Sequence, residues 1–157
     1  MGGNNKFSLP ALLKKFVRLQ TMPEMSISDS VAHSLARYRN HLEFNGYHVE
    51  EGDDLLLCRH PRKQNLIVKY ISGRGVLIRT LYSLKPNMNR IHLLEYMNEF
   101  NFEFIFMKAY IDEDNDLCLE TFCEGDYDRT NFSILLDNIE YDMEIFGNHK
   151  LTREYLQ

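Results

Sequence analysis

Two neighbouring runs, "NLIVKYIS" (65–72) and "GVLIRTLYSL" (75–84), constrain the fold more than any other part of the chain. Both are rich in β-branched and aromatic residues, which pack well on a pleated surface and lose side-chain freedom in a helix. Only Gly73, Arg74 and Gly75 join them, and glycine reaches the positive φ angles that a tight reversal demands. The pair is therefore predicted to be an antiparallel hairpin. A lone hairpin is at best marginal in water, so the rest of the chain must supply more strands and a helical cover.

Further strands are expected on either side. "YHVEEGDDLLLCRHP" holds a short strand, a turn over Glu51–Asp54 and a strand over Leu55–Arg59 that Pro61 closes. Residues Phe102–Ile111 are aromatic and β-branched. Leu117–Cys123 alternate, with Leu117, Leu119 and Thr121 on one face and Cys118, Glu120 and Phe122 on the other. Between these two runs lies "DEDND", Asp112–Asp116. Its alternate aspartates match the first ligands of a calcium-binding EF-hand loop, but the sixth and twelfth positions are Leu117 and Cys123 instead of Gly and Glu. Asp and Asn side chains bond the local backbone in turns, so the stretch reads as a hairpin tip and no metal is expected.

Three main helices are predicted around these strands. The first starts at Ser28, with Val31, Leu35, Tyr38 and Leu42 on one face and Gly46 where it stops. The second covers Asn89–Phe100, with Ile91, Leu94 and Met97 on one stripe and Asn87 or Asn89 as its cap. The third runs from Asp128 or Thr130 to Phe146. Its apolar stripe is Phe132, Leu135, Leu136, Ile139, Met143 and Phe146, Gly147 ends it, and Asp137, Glu140, Asp142 and Glu144 form an acidic exposed face. Before them, Phe7–Leu19 has a short helical pattern with Leu9, Leu12, Leu13 and Phe16 opposite Lys14, Lys15 and Arg18, followed by the linker "QTMPEMS". The expected division is an N-terminal helical extension and linker over 1–27, one α+β domain over 28–147 and a polar tail over 148–157. The domain is an antiparallel sheet packed with helices in the order (α)-α-β-β-β-α-β-β-α.

Composition narrows the function. The 157 residues, 44% apolar, suffice for one buried core, and a formal charge of −5 provides no basic field for a nucleic-acid backbone. No apolar run approaches a membrane span, and Cys58, Cys118 and Cys123 show neither disulfide-framework nor zinc spacing, which points to the cytoplasm. The six histidines form no HExxH or HxH pattern, and no nucleophile elbow, Walker A loop or dinucleotide fingerprint is present. Arg37, Arg39 and His41, or Arg59, His60, Arg62 and Lys63, could hold a phosphate, but each set reads as ordinary exposed charge. The chain is therefore read as a non-enzyme without a cofactor.

From about Ser28 to Phe146 the chain resembles the YbjN-like proteins, a family of candidate bacterial sensory-transduction regulators with the fold of type III secretion chaperones. The stretch that carries the resemblance is "LLEYMNEFNFEFIFMKAYIDEDNDLCLETFC", with Met97-Asn98 and Asn101 at the end of a helix that leads into a strand, an acidic turn and a second strand. The resemblance implies a non-catalytic domain that binds a protein client or a second copy of itself, as chaperone, adaptor or regulator. A small-ligand-binding protein or an enzyme of other chemistry is the alternative. By alternation Phe104, Phe106 and Tyr110 share one face of the expected strand, opposite Ile105, Met107 and Ile111, and are the candidate partner-binding residues.

Overall fold

The chain was analysed as a computed structural model, which describes residues 29–157; the expected helix over Phe7–Leu19 and its linker lie outside the described residues. The elements are α1 (Asp29–Phe44), β1 (His48–Glu51), β2 (Leu55–Arg59), β3 (Leu66–Ile71), β4 (Gly75–Ser83), α2 (Arg90–Glu103), β5 (Lys108–Ile111), β6 (Asp116–Glu124), α3 (Arg129–Asn148) and α4 (Thr152–Tyr155). All strand pairs are antiparallel, in the order β1-β2-β3-β4-β6-β5. The fold is thus α+β, with a fourth strand before α2 where the expected order had three.

The central hairpin forms as its residues dictate. Arg74 donates its backbone N–H to the Ile71 carbonyl, and Gly73 takes φ 66° in the turn. Gly75 at φ 136° has a second reason to be glycine: a Cβ there would lie 2.0 Å from the Cys123 carbonyl oxygen, so its absence lets β6 close against β4. The acidic run is a turn. Asp112 accepts from the backbone N–H groups of Asp114 and Asp116, and Asn115 adopts φ 61°.

The register divides the sheet into two faces. Leu56, Cys58, Leu66, Val68, Val76, Ile78, Ala109, Leu117 and Leu119 point to one side. There they join Leu35, Tyr38 and Leu42 of α1, Tyr96 and Phe100 of α2, and Phe132, Ile139 and Phe146 of α3 in one large core. The opposite face carries a separate small cluster, Leu55, Leu57 and Ile67 with Leu81 against it, beside a polar half formed by Arg79, Glu120, Lys108 and Tyr110.

Several sequence expectations require correction. In α2 the buried residues are Leu93, Tyr96, Met97 and Phe100, while Ile91 and Leu94 face outward. Asn89 is the cap, accepting from Ile91 and His92. Residues Phe102 and Glu103 complete α2 and 104–107 form a loop, so the strand expected over Phe102–Ile111 is reduced to β5. Gly147 lies inside α3, which is capped by Asp128 accepting from Asn131. Asp142, expected on the exposed acidic face, is fully buried.

The last residues pack onto the domain. Thr152 accepts a hydrogen bond from Tyr96 Oη at 2.6 Å and donates to the Phe146 carbonyl, Leu156 bridges to Leu84, and Tyr155 is buried. None of the described helices is long and apolar enough to cross a membrane.

Candidate functional site

The loop between α2 and β5 is where chemistry and exposure meet. Its successive backbone N–H groups, from Ile105, Phe106 and Met107, all donate to the Asp142 carboxylate, at 3.2 Å to Oδ1 and at 2.8 Å each to Oδ2. Consecutive N–H groups converging on one point form a concave anion-binding nest, and here an acidic side chain of α3 fills it. Thr121 of β6 donates its hydroxyl to the Phe106 carbonyl at 2.9 Å. Asn101, near the end of α2, takes both groups of Ala109: its Nδ2 donates to the carbonyl at 2.9 Å and its Oδ1 accepts the N–H at 2.7 Å.

These contacts have two effects. The loop backbone is held from α3 and from β6, so the side chains it presents have fixed directions. The outer edge of β5, otherwise a row of unpaired donors and acceptors ready to template another strand, is closed at Ala109 by an amide side chain. Asn101, quoted above for the resemblance, acts as an edge cap.

On this pinned backbone the side chains diverge. Phe104 is buried, its ring stacked on Phe100 at 5.2 Å in the core. Phe106 is 39% exposed and meets Tyr141 of α3 edge-on at 6.2 Å; Ile105 is 65% exposed, Tyr141 52% and Phe102 89%. Ile91 and Leu94 are exposed on the outer side of α2. Exposed apolar side chains that meet one another, as Phe106 and Tyr141 do, suit an interaction site, whereas isolated exposed residues do not.

Tyr110 lies elsewhere, on the polar half of the second sheet face. Its hydroxyl donates to Glu120 Oε2 at 2.9 Å, and Lys108 Nζ sits 5.5 Å from its ring centre. Glu120 is nearly enclosed. Burial pushes its carboxyl up, but hydrogen bonds from Lys108, Arg79 and Tyr110 outweigh this and hold it below the usual carboxylate range. Phe104, Phe106 and Tyr110 therefore share no face: one is core, one is at the surface and one belongs to a charged network. Only Phe106 stands where a partner could touch it together with its neighbours.

The sequence reading missed Asp142, although a signal was present. Buried positions on α3 fall at Phe132, Leu136, Ile139 and Phe146, and continuing the spacing of three and four places Asp142 inside that stripe. An acid at an apolar helix position must find hydrogen-bond donors or remain outside, and here it finds three.

A second concavity opens between α1 and the start of α3. It measures about 600 Å³ and is lined among others by Arg37, His41, Tyr127, Arg129 and Ser133. His41 Nδ1 lies 2.9 Å from Tyr127 Oη and its Nε2 3.3 Å from Ser133 Oγ. Burial, and secondarily the nearby Arg129 charge, pull the imidazole below its usual range. Arg39, grouped with Arg37 and His41 by sequence, instead pairs with Glu51 at 2.8 Å. Burial pushes the Cys58 thiol up to about 12 and the Cys118 thiol up to about 11, and it also raises Cys123.

No family model and no curated protein matches this chain. Among solved structures, the E. coli protein YbjN, described as a candidate transcription regulator, is similar. It superposes with a TM-score of 0.64 at 15% identity, over 78% of this chain and 95% of that one. The chain therefore has a YbjN-like fold.

Proposed function

We propose that this chain is a non-catalytic protein-binding module of the cytoplasm, a chaperone, adaptor or regulator, that engages a protein client or a second copy of itself through the apolar surface around the pinned loop. The observation that carries this reading is that Asp142 and Thr121 hold the loop backbone, and Asn101 the start of β5, while Ile105 and Phe106 remain turned outward, Phe106 against Tyr141. A rigid aromatic pair loses little conformational freedom on binding, and each large apolar side chain fully covered contributes roughly 1.5–3 kcal/mol. Edge-strand pairing fits less well, because β5 is closed by Asn101 and β1 is a four-residue strand with Glu50 and Glu51 in it. The YbjN-like fold is consistent with a regulatory role, and the acidic charge argues against direct contact with nucleic acid.

The test is a tagged pull-down from extract of the source cells, with wild type and the Phe102→Asp/Phe106→Asp double variant in parallel. A near-stoichiometric partner, or a second copy, held by the wild type and lost by the folded variant supports the reading. A partner held equally by both overturns the assignment of the surface.

A second reading rests on the cleft between α1 and α3. Arg37, His41 and Arg129 around about 600 Å³ of space suit an anionic small ligand, although Asp128 on the same wall opposes one. Isothermal titration with inorganic phosphate and nucleoside monophosphates separates it from the first.

A further inference from the structure

The pinned loop shares its side of the molecule with the outer stripe of α3. Phe106 meets Tyr141 edge-on, and Ile134, half-exposed like Tyr141, precedes it by two helical turns and so lies on the same stripe. Asp137 and Glu144, both exposed, stand four positions before and three after Tyr141, the spacings at which helix side chains are neighbours. Neither acid forms an ion pair with a described residue; Lys63, which lines a small cavity with Asp137 and Glu140, pairs with Glu140. Glu144 also lies near the C-terminal end of α3, where negative charge opposes the helix dipole, and no basic residue stands in the last turn. The helix itself gains nothing from this charge.

We propose that the occupant of the loop surface is a basic amphipathic helix of another protein. It lies along α3 with its apolar stripe on Ile134, Tyr141 and Phe106 and its lysine or arginine side chains beside Asp137 and Glu144. This rests on the reading of that surface as a protein-binding one, and adds the chemistry of the partner. Three observations select it. Ile134 and Tyr141 are about 10 Å apart along the helix axis, the repeat of i and i+7 side chains on a second helix laid alongside. Asp137 and Glu144 flank that stripe without cations of their own, so complementary charge has to come from the partner. Asn101 closes the edge of β5, which disfavours strand addition and leaves docking through side chains. A second copy of the chain fits less well. A two-fold contact would set the same patch on both sides, acids facing acids with no cation among Ile134, Asp137, Tyr141, Glu144 and Phe106.

The apolar and acidic residues then have different tasks. Phe106, Tyr141 and Ile134 supply the area that is covered, while Asp137 and Glu144 speed the approach of basic helices and reject acidic ones. Exposed charges are screened by salt, so binding should weaken as ionic strength rises through the physiological range.

Fluorescence anisotropy with three labelled amphipathic peptides of about five helical turns tests the proposal. All share one leucine stripe and differ only in the polar face, which is lysine, glutamine or glutamate. The full chain is compared with Asp137→Asn/Glu144→Gln, which removes the charge, and with Phe106→Ser/Tyr141→Ser, which removes the aromatic contact at constant charge; these side chains lie at the surface, and circular dichroism confirms that both variants fold. Expected is binding of the lysine peptide at least about fivefold tighter than the glutamine peptide, with the glutamate peptide weakest. The charge variant should reduce that preference below about twofold, and the aromatic variant should weaken the lysine and glutamine peptides alike by about tenfold. Equal binding of all three peptides, or a preference that survives in the charge variant, overturns the basic partner; if the aromatic variant still loses binding, the loop surface itself stands. Lysine-peptide binding that the aromatic variant leaves unchanged places the contact elsewhere and refutes both. Binding of no peptide refutes the inference, as does a dimer in sedimentation that the aromatic variant dissociates, which would assign the surface to a second copy.

Discussion

Replacing Asp142 by alanine should detach the loop without touching any residue that the loop exposes. The carboxylate accepts three backbone N–H bonds, and bonds to a charged acceptor contribute roughly 1.5–3 kcal/mol each. Their sum is not lost in full. The amides of Ile105 and Phe106 belong to exposed residues and regain water, and removing the side chain also removes the desolvation cost of a buried charge; Met107 is buried, and its amide stays unpaired. The expected net loss is about 3–4 kcal/mol, equivalent to a Tm about 10 °C lower in a chain of this size. Asp142→Asn keeps one acceptor oxygen but turns an amide N–H₂ toward a donor, so it should cost about half as much. Urea titration monitored by far-UV circular dichroism gives the free energies. Hydrogen exchange should show the amides of 105–107 opening at least about tenfold faster in the alanine variant, while those of β3 and β4 change only with global stability. An alanine variant within about 1 kcal/mol of wild type, with unchanged exchange over 105–107, would refute the role given to Asp142.

Other expectations follow from single contacts. His41 should titrate below its ordinary range in an NMR pH series, and Arg129→Ala should raise its midpoint. Because the folded protein disfavours the imidazolium, this site contributes stability that is complete above about pH 6.5 and declines as the pH falls through the unfolded-state value. Glu120, held below the usual carboxylate range by its hydrogen bonds despite burial, contributes stability present above about pH 4.3 and lost as the pH falls through its folded value. Glu120→Gln should therefore flatten the acid limb of a stability-against-pH curve. Gly75→Ala places a methyl group against the Cys123 carbonyl at a φ that alanine disfavours, and should destabilise by more than about 2 kcal/mol in urea denaturation; a neutral effect would contradict the close β4–β6 approach.

The parts legible in the sequence are those whose residues leave little choice. The glycine reversal at 73–75, the alternation of Leu117–Cys123, the acidic turn and helix caps at Asn87 or Asn89 and at Asp128 or Thr130 follow from local backbone chemistry; the structure contains the first three and selects Asn89 and Asp128 as the caps. The phase of α2 was not legible because that helix is apolar on both sides. Ile91 and Leu94 outside, and Leu93, Tyr96 and Phe100 inside, satisfy helical spacing equally, and only tertiary packing selects the buried set. "FEFIFMKAYI" reads as one long strand by composition, but the Asp142 contact, 35 residues away in sequence from Met107, holds its first part in a loop. Local pattern cannot report a contact at that separation. The role of Asn101 was hidden for the same reason, since an exposed-looking amide near a helix end gives no sign that it will pair with Ala109. The polar-looking tail packs because Tyr155 and Leu156 find the domain, which four helical residues alone do not announce.

A photo-cross-linking amino acid at position 106, compared with the same group at position 44, asks whether the pinned loop is where partners bind. Phe44 is 84% exposed at the end of α1, outside the loop surface, so it serves as a control more accessible than Phe106 at 39%. Irradiation in extract of the source cells should give a discrete adduct from position 106, to one protein or to a second copy of the chain, and none from position 44. Adducts from position 44 alone, or from neither position while the labelled proteins remain folded, would contradict a protein-binding role for this surface.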